Sequence, residues 1–265
     1  MTGTGRLSYS SCHLIMESGL VEHLQQARRI LVFTGAGVST ASGIRDFRGP
    51  NGVWTRRRPV LYEDFLASEA ARIEYWDFKL ESWGIYQRAQ PNAVHHAIVA
   101  LERAGKVVSV VTQNVDGLHR RAGTSPDLLI ELHGTDLLVK CLQCEATSDP
   151  VPHFEAFKAT KRPPRCPCGG LLKPATISFG QPLSARDLER AATAAAKADL
   201  VLALGSTLSV HPAASIPLLA VERGTPYIII NQGATDHDNH PAVTLRLQGD
   251  VTAIVPAAVN ASLQI

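Results

Sequence analysis

The sequence predicts an α/β fold: a mostly parallel sheet covered by helices on both faces, with a small cysteine-rich insert. Three observations carry that prediction. Five short apolar runs recur along the chain, at Ile30–Phe33, Val107–Val111, Ala198–Leu204, Tyr227–Ile230 and Val243–Leu247. Each has strand length and is mostly apolar, as strands buried on both faces are. Helical patterns lie between several of them, and strands alternating with helices build parallel sheets. Between Lys140 and Lys173 the composition changes: cysteine, proline and glycine rise and strand periodicity fades.

A chain of 265 residues can bury a full α/β core with a smaller inserted domain. Its net charge of +2 gives no indication of a nucleic-acid or membrane partner. No apolar run approaches membrane-spanning length, and the N-terminus lacks the apolar stretch and small-residue cleavage site of a signal peptide. Five cysteines, four of them clustered, fit a reducing compartment. The expected address is the cytoplasm, or the nucleus in a eukaryotic source.

Residues 1–15 read as a loose tail rich in Ser, Thr and Gly, with Met16 an alternative start. From Ser18 a helix runs to about Arg28, with Leu20, Val21 and Leu24 on one face. The first strand stops at Thr34-Gly35-Ala36-Gly37. Glycines there let backbone N–H groups approach an anion closely, which points to a nucleotide-phosphate site. An ordinary dehydrogenase fits poorly. Its third glycine would fall at Thr40, and its acidic ribose partner would fall where the chain has Thr55-Arg56-Arg57-Arg58. The following loop carries Arg45, Asp46, Phe47, Arg48, Pro50, Gly52 and Trp54, a mixture suited to closing over a ligand.

Residues 59–90 read as helices rich in aromatics, and 91–104 as a helix with Val94, Ile98 and Leu101 inward and Gly105 as its stop. His95 and His96 are adjacent, so they cannot face one ligand, and a capping or core role is expected. An alanine-rich helix covers 184–198 with Ser184 as N-cap. Each predicted strand is followed by polar residues at its C-terminal end, the edge where open α/β sheets bind ligands.

Cys141-x-x-Cys144 is followed after 21 residues by Cys166-Pro167-Cys168-Gly169-Gly170. Two such knuckles are the pattern of a structural Zn²⁺ held by four thiolates. The second pair is one residue shorter than usual. With all four thiolates committed no water-bearing position remains, so the metal is expected to brace rather than react. Cys12 looks incidental.

GAGVSTASGIRDFRGPNGVW (35–54), TQNVDGLH (112–119), ELHG (131–134), the cysteine pairs, FG (179–180), GSTLSV (205–210) and IN (230–231) stand in the order found in sirtuins. The chain thus resembles the family of NAD-dependent protein-lysine deacylases from about residue 18 to 258. The resemblance implies a Rossmann-like NAD-binding domain over 16–139 and 174–265, a helical module at about 55–90, and a zinc domain over 140–173. NAD would lie over Gly35, Ala36 and Gly37 and over Gly205, Ser206 and Thr207. Asn231, Gln232, Gly233, Asp250 and Val251 would hold the adenosine end. Ser39, Gly43, Asp46, Phe47, Arg48 and Trp54 belong to the cofactor turn and loop. Gln113, Asn114 and Val115 would meet the ribose side, and Asp116 the nicotinamide carboxamide. Asn114 and His133 would be the catalytic pair, His133 taking a proton from the ribose hydroxyls. The acyl-lysine peptide would lie as an added strand between Ile177, Ser178, Phe179, Gly180 and the Ser209-Val210 segment.

The products implied are nicotinamide, O-acyl-ADP-ribose and free lysine. Three positions depart from the family pattern: Arg45 where proline is usual, Gln181 where an acidic residue is usual, and Trp76-x-x-Lys79 in place of a Tyr-x-x-Arg pair. Lys grips a carboxylate less selectively than Arg, so simple acyl groups are expected over succinyl. The Arg56–Arg58 run reads as a solvated loop face. The alternative functions are mono-ADP-ribosyl transfer, plain NAD hydrolysis, or a non-catalytic NAD or ADP-ribose sensor.

Overall fold

The structure, a computed structural model, describes residues 9–49 and 52–264. Its strands are β1 (Ile30–Thr34), β2 (Val107–Thr112), β3 (Leu129–Glu131), β4 (Gly134–Cys141), β5 (Thr147–Ser148), β6 (Leu172–Thr176), β7 (Leu200–Leu204), β8 (Tyr227–Asn231) and β9 (Val243–Gln248). The helices are α1 (Tyr9–Gln26), α2 (Tyr62–Ala67), α3 (Glu69–Arg88), α4 (Ala93–Arg103), α5 (Leu118–Ala122), α6 (Pro150–Thr160), α7 (Ala185–Lys197), α8 (Ile216–Val221) and α9 (Val251–Leu263).

Six strands form one sheet in the order β3-β2-β1-β7-β8-β9, with every neighbouring pair parallel. Side chains alternate across a strand, and the apolar runs are therefore split between two cores. Ile30, Val32, Leu200, Leu202, Ile228 and Ile230 pack with α1, α4 and α9 on one face. Leu31, Phe33, Val201, Ala203, Tyr227 and Ile229 pack with α7 and α8 on the other. Each fully buried aliphatic side chain contributes roughly 1.5–3 kcal/mol, which explains why β1, β7 and β8 stay apolar up to their C-terminal ends.

The expected helix from Ser18 begins nine positions earlier, at Tyr9, inside the stretch read as a loose tail. Helix growth is cooperative, so a nucleus over the amphipathic part extends into a segment of weak pattern. Residues 1–8 lie outside the described residues. The third apolar run starts at Leu200 rather than Ala198. Ala198 caps α7, and the Asp199 carboxylate accepts the N–H groups of Arg28 and Arg29. Strand β3 carried no recognisable pattern because it is only three residues long. His95 closes a capping box with Asn92 at the start of α4, in agreement with its expected capping role.

The cysteine-rich insert is more ordered than its composition suggests. Strands β4, β5 and β6 form an antiparallel sheet, so the ordered insert spans 134–176 and overruns the 140–173 window at both ends. Nor is it separate from the helical module. Phe65, Tyr75 and Trp76 of α2 and α3 share one core with Val139, Cys141, Phe154, Phe157 and Leu172 of the insert. The two modules make one small lobe.

Candidate active site

The C-terminal ends of β1, β2, β7 and β8 open onto a cleft of about 820 Å³, walled on its other side by the small lobe. Gly35 and Gly37 stand at the bottom, and close backbone contact explains them. A Cβ on Gly35 would lie 2.7 Å from the Gly205 carbonyl, and one on Gly37 would lie 2.7 Å from the Gly205 Cα. Gly35 donates its N–H to Leu204 and Gly37 donates to Gly205. The glycines therefore join two strand ends, and their own N–H groups are not free for an anion as the sequence suggested.

His133, just past β3, lines the cleft. Its Nδ1 lies 3.0 Å from the Gln113 carbonyl oxygen. A carbonyl only accepts, so Nδ1 carries the proton and Nε2 is left with a free lone pair. Burial lowers the pKa of the ring, the Gln113 bond opposes that, and the Arg48 charge adds to it. The imidazole is thus neutral and basic at Nε2 near neutral pH.

Asn114 is buried and held from several sides. Its N–H donates to Thr112 Oγ1 at 3.0 Å, while its Nδ2 donates to the Gly35 carbonyl at 3.0 Å and to Ser39 Oγ at 3.1 Å. Ser39 in turn donates to Asp116 at 2.7 Å. The other Asp116 oxygen accepts the Leu118 N–H at 2.8 Å. Burial pushes the Asp116 carboxyl above its ordinary value, against these two donors that favour the anion. Each carboxylate oxygen accepts one of these bonds and keeps a further lone pair, and the bonds fix Asp116 behind Ser39 and Asn114 at the cleft wall. Gln113 Nε2 donates to Ser206 Oγ at 2.8 Å, tying the ends of β2 and β7 together.

The expected cofactor residues Gly35, Ala36, Gly37, Asp46, Phe47, Arg48, Trp54, Gln113, Asn114, Val115, Gly205, Ser206, Thr207, Asn231, Gln232, Gly233, Asp250 and Val251 all line this cleft. So do Ile177, Ser178, Phe179, Gly180 and Val210 of the expected peptide site. Ser39, Gly43, Asp116 and Ser209 do not. Gly43 ends the short helical turn in a left-handed conformation, and the Ser209 hydroxyl is engaged with Thr207 at 2.8 Å.

The sequence marked Lys79 of α3 for acyl recognition but left Tyr75 and Phe78 beside it unmarked. Tyr75, Phe78 and Lys79 line the cleft. Lys79 Nζ sits 2.8 and 2.9 Å from the two Asp136 oxygens. Burial pulls its pKa down, but Asp136 more than offsets this and holds the ammonium above its ordinary range. The available signal was a lysine on the helix face that also carries Tyr75 and Trp76. Above it, Trp54 stacks on Phe47 at 5.4 Å and meets Phe78 at 5.5 Å and Phe179 at 6.0 Å.

The four cysteines converge. Their sulfurs all lie within 4.8 Å of one another, with Cys141–Cys168 at 3.6 Å and Cys144–Cys166 at 3.7 Å. Those separations are far too long for disulfides, but they match the ~3.8 Å edge of a tetrahedron with Zn–S bonds of ~2.3 Å. The short second knuckle closes through Gly169, and a Cβ on Gly170 would lie 2.6 Å from the Cys141 sulfur. N–H groups of Cys144 and Gln143 favour the ionised form of Cys141, while the neighbouring thiols push Cys144 and Cys166 the other way. The donor set fits a structural zinc.

A parallel sheet with a ligand cleft at its switch edge, joined to a lobe stapled by four thiolates, defines the class: a nucleotide-binding α/β protein with a metal-braced module. A model of the Sir2 family matches residues 35–212. An NAD-dependent protein deacetylase of Caldivirga maquilingensis is 41% identical over 224 residues, covering 84% of this chain and 85% of that protein. A Sir2 protein solved with deacetylated p53 peptide and 3'-O-acetyl-ADP-ribose superposes with a TM-score of 0.84 at 34% identity, covering 92% of this chain and 96% of that one. Another, solved with p53 peptide and NAD+, gives 0.83 at 31%, covering 93% and 98%. The chain belongs to the Sir2 family.

Proposed function

We propose that the protein removes acetyl groups from protein lysines in a reaction that consumes NAD and releases nicotinamide, O-acetyl-ADP-ribose and free lysine. The observation that carries this reading is the tautomer of His133, whose Nδ1 is committed to Gln113 and whose Nε2 faces the cleft as a free base. NAD supplies the electrophilic ribose carbon that takes the acyl oxygen as nicotinamide leaves. Nε2 of His133 accepts a proton from a ribose hydroxyl, which makes that oxygen the nucleophile toward the acyl carbon. Asn114, fixed by Thr112, Gly35 and Ser39, presents its amide to the same sugar. Trp54, Phe47 and Phe179 cover the site and exclude water that would otherwise intercept the activated ribose.

Asp136 neutralises Lys79, so the α3 wall offers no free cation to an acidic acyl group, which supports acetyl over succinyl. Among the described residues no helix is long and apolar enough to cross a membrane. Four free thiols poised for metal suit a reducing compartment such as the cytoplasm.

The test follows nicotinamide release and peptide mass with an acetyl-lysine peptide and NAD. His133→Ala should lower kcat by about 10²–10⁴-fold, the usual range for a general base. Full deacetylation by that variant would remove the assignment. Nicotinamide release that is independent of peptide would favour ADP-ribosyl transfer or hydrolysis.

A further inference from the structure

Arg57 and Arg58 both line the cleft, and the structure treats them differently. Arg57 is neutralised: its guanidinium lies 3.1 Å from Glu81 and 3.9 Å from Glu74, and 5.2 Å from the centre of the Phe78 ring. Arg58 is exposed, and among the described residues no carboxylate or carbonyl engages it. Pro59 follows and restricts the Arg58 backbone to extended conformations, which limits where the side chain can point.

The segment after Arg58 is fastened to the expected peptide edge. Tyr62 donates its N–H to the Phe179 carbonyl at 2.9 Å. A peptide lying along 177–180 therefore shares the cleft with the unpaired Arg58 guanidinium and with Arg48, whose guanidinium lies 5.9 Å from the centre of the Phe179 ring. Neither carboxylate that lines the cleft is paired with Arg58. The carboxylates lining the cleft are Asp46, which accepts the Gly49 N–H at 3.0 Å, and Asp250, which accepts the Thr252 N–H at 2.8 Å. Gln181 is neutral and turned inward, accepting the Ser178 N–H at 3.1 Å. Glu63 and Asp64 of α2 do not line the cleft, and the far lip carries His211.

We propose that Arg58 is a specificity-determining residue that selects acetyl-lysine sites flanked by an aspartate or glutamate. The inference rests on the deacetylase reading and adds the chemistry of the preferred substrate. An exposed, well-placed ion pair is worth about five-fold in a binding ratio, and the effect is screened as salt rises.

The test compares three acetyl-lysine peptides, identical except for glutamate, glutamine or lysine on either side of the acetylated residue. Reactions use the full-length protein with saturating NAD. The expected order in kcat/KM is glutamate, glutamine, lysine, with about five-fold between the first two at low salt and a smaller gap at high salt. Arg58→Glu should reverse the order and Arg58→Lys should preserve it. Arg56→Glu, on an exposed residue that does not line the cleft, should leave the wild-type order in place. An unchanged order in Arg58→Glu overturns the proposal. So does a raised KM for NAD with an unmoved peptide ratio, which would assign Arg58 to the cofactor phosphates. If no acetylated peptide is turned over while NAD is consumed, the deacetylase reading falls first and takes this inference with it.

Discussion

The two lobes that face each other across the cleft are held together by different physics. The six-stranded sheet is apolar through its thickness: Ile30 to Phe33 and Val201 are wholly buried, and so are Ile228 and Ile229. The small lobe has fewer residues to bury and buries polar groups among them. It hides Lys79, Asp136 and Lys173 beside Trp76 and Phe154, and gathers four thiols that repel one another once ionised. Apolar burial alone stabilises large cores better than small ones. The small lobe therefore depends on a metal and on ionic pairing where the sheet depends on area. The lobe that moves or fails first should be the one that carries Tyr75, Phe78 and the segment leading to Phe179.

The largest expected effect comes from removing the metal. Zinc contributes ~10–16 kcal/mol to the folding of isolated four-ligand modules, and Cys141 sits inside the core shared by α2, α3, α6, β4 and β6. Chelation should strip hydrogen-exchange protection from 134–176 and from α3, abolish deacetylation, and leave β1, β7 and β8 protected. Equal protection loss in the sheet would mean that the lobes share one fate. Unchanged activity after verified zinc loss would mean that the brace is unnecessary.

Next in size is the buried pair, whose side chains are 10% exposed for Lys79 and 3% for Asp136. Removing one partner of such a pair costs roughly 3–5 kcal/mol, because a lone charge is left in the interior. Asp136→Asn should lose about that much in urea unfolding, and Lys79→Met combined with Asp136→Leu should recover most of it. The sign with pH is set by Lys79, whose folded pKa is raised. Its contribution is complete below the ordinary lysine value of ~10.4 and is lost only as pH rises through the folded value. A single mutant that matches wild type in urea would show that the pair is not buried in solution.

The sheet was largely legible because β1, β7 and β8 are continuous apolar runs that stop at polar residues, and both features follow from burial on two faces. The thiolate site was legible from spacing alone, whereas His133 was legible only through the family resemblance, in its Glu-Leu-His-Gly context. What was hidden is tertiary in origin. Asp116 reads as a ligand-facing carboxylate, and only packing shows that Ser39 and Leu118 each hold one of its oxygens in place. Lys79 reads as a weak grip for an acyl carboxylate, and only packing brings Asp136, 57 residues away, against it. Strand β4 was obscured because its burial alternates irregularly around Leu138 and Lys140, unlike the uniformly buried β1.

The smallest prediction tests whether the lobes unfold separately. Ser184 caps α7 of the large domain, its Oγ accepting the Asp187 N–H at 3.3 Å. Asp149 caps α6 of the small lobe, its carboxylate accepting the Val151 N–H at 2.8 Å. Replacing either cap with alanine costs about 1 kcal/mol, so the two variants are matched in local chemistry and differ in the lobe they weaken. If the small lobe opens on its own, Asp149→Ala should raise exchange in α6 and β4 while the global unfolding midpoint moves little. Ser184→Ala should move that midpoint by the full amount. Equal shifts of one cooperative transition would make the two lobes a single folding unit, and the contrast drawn between them would then concern composition and not stability.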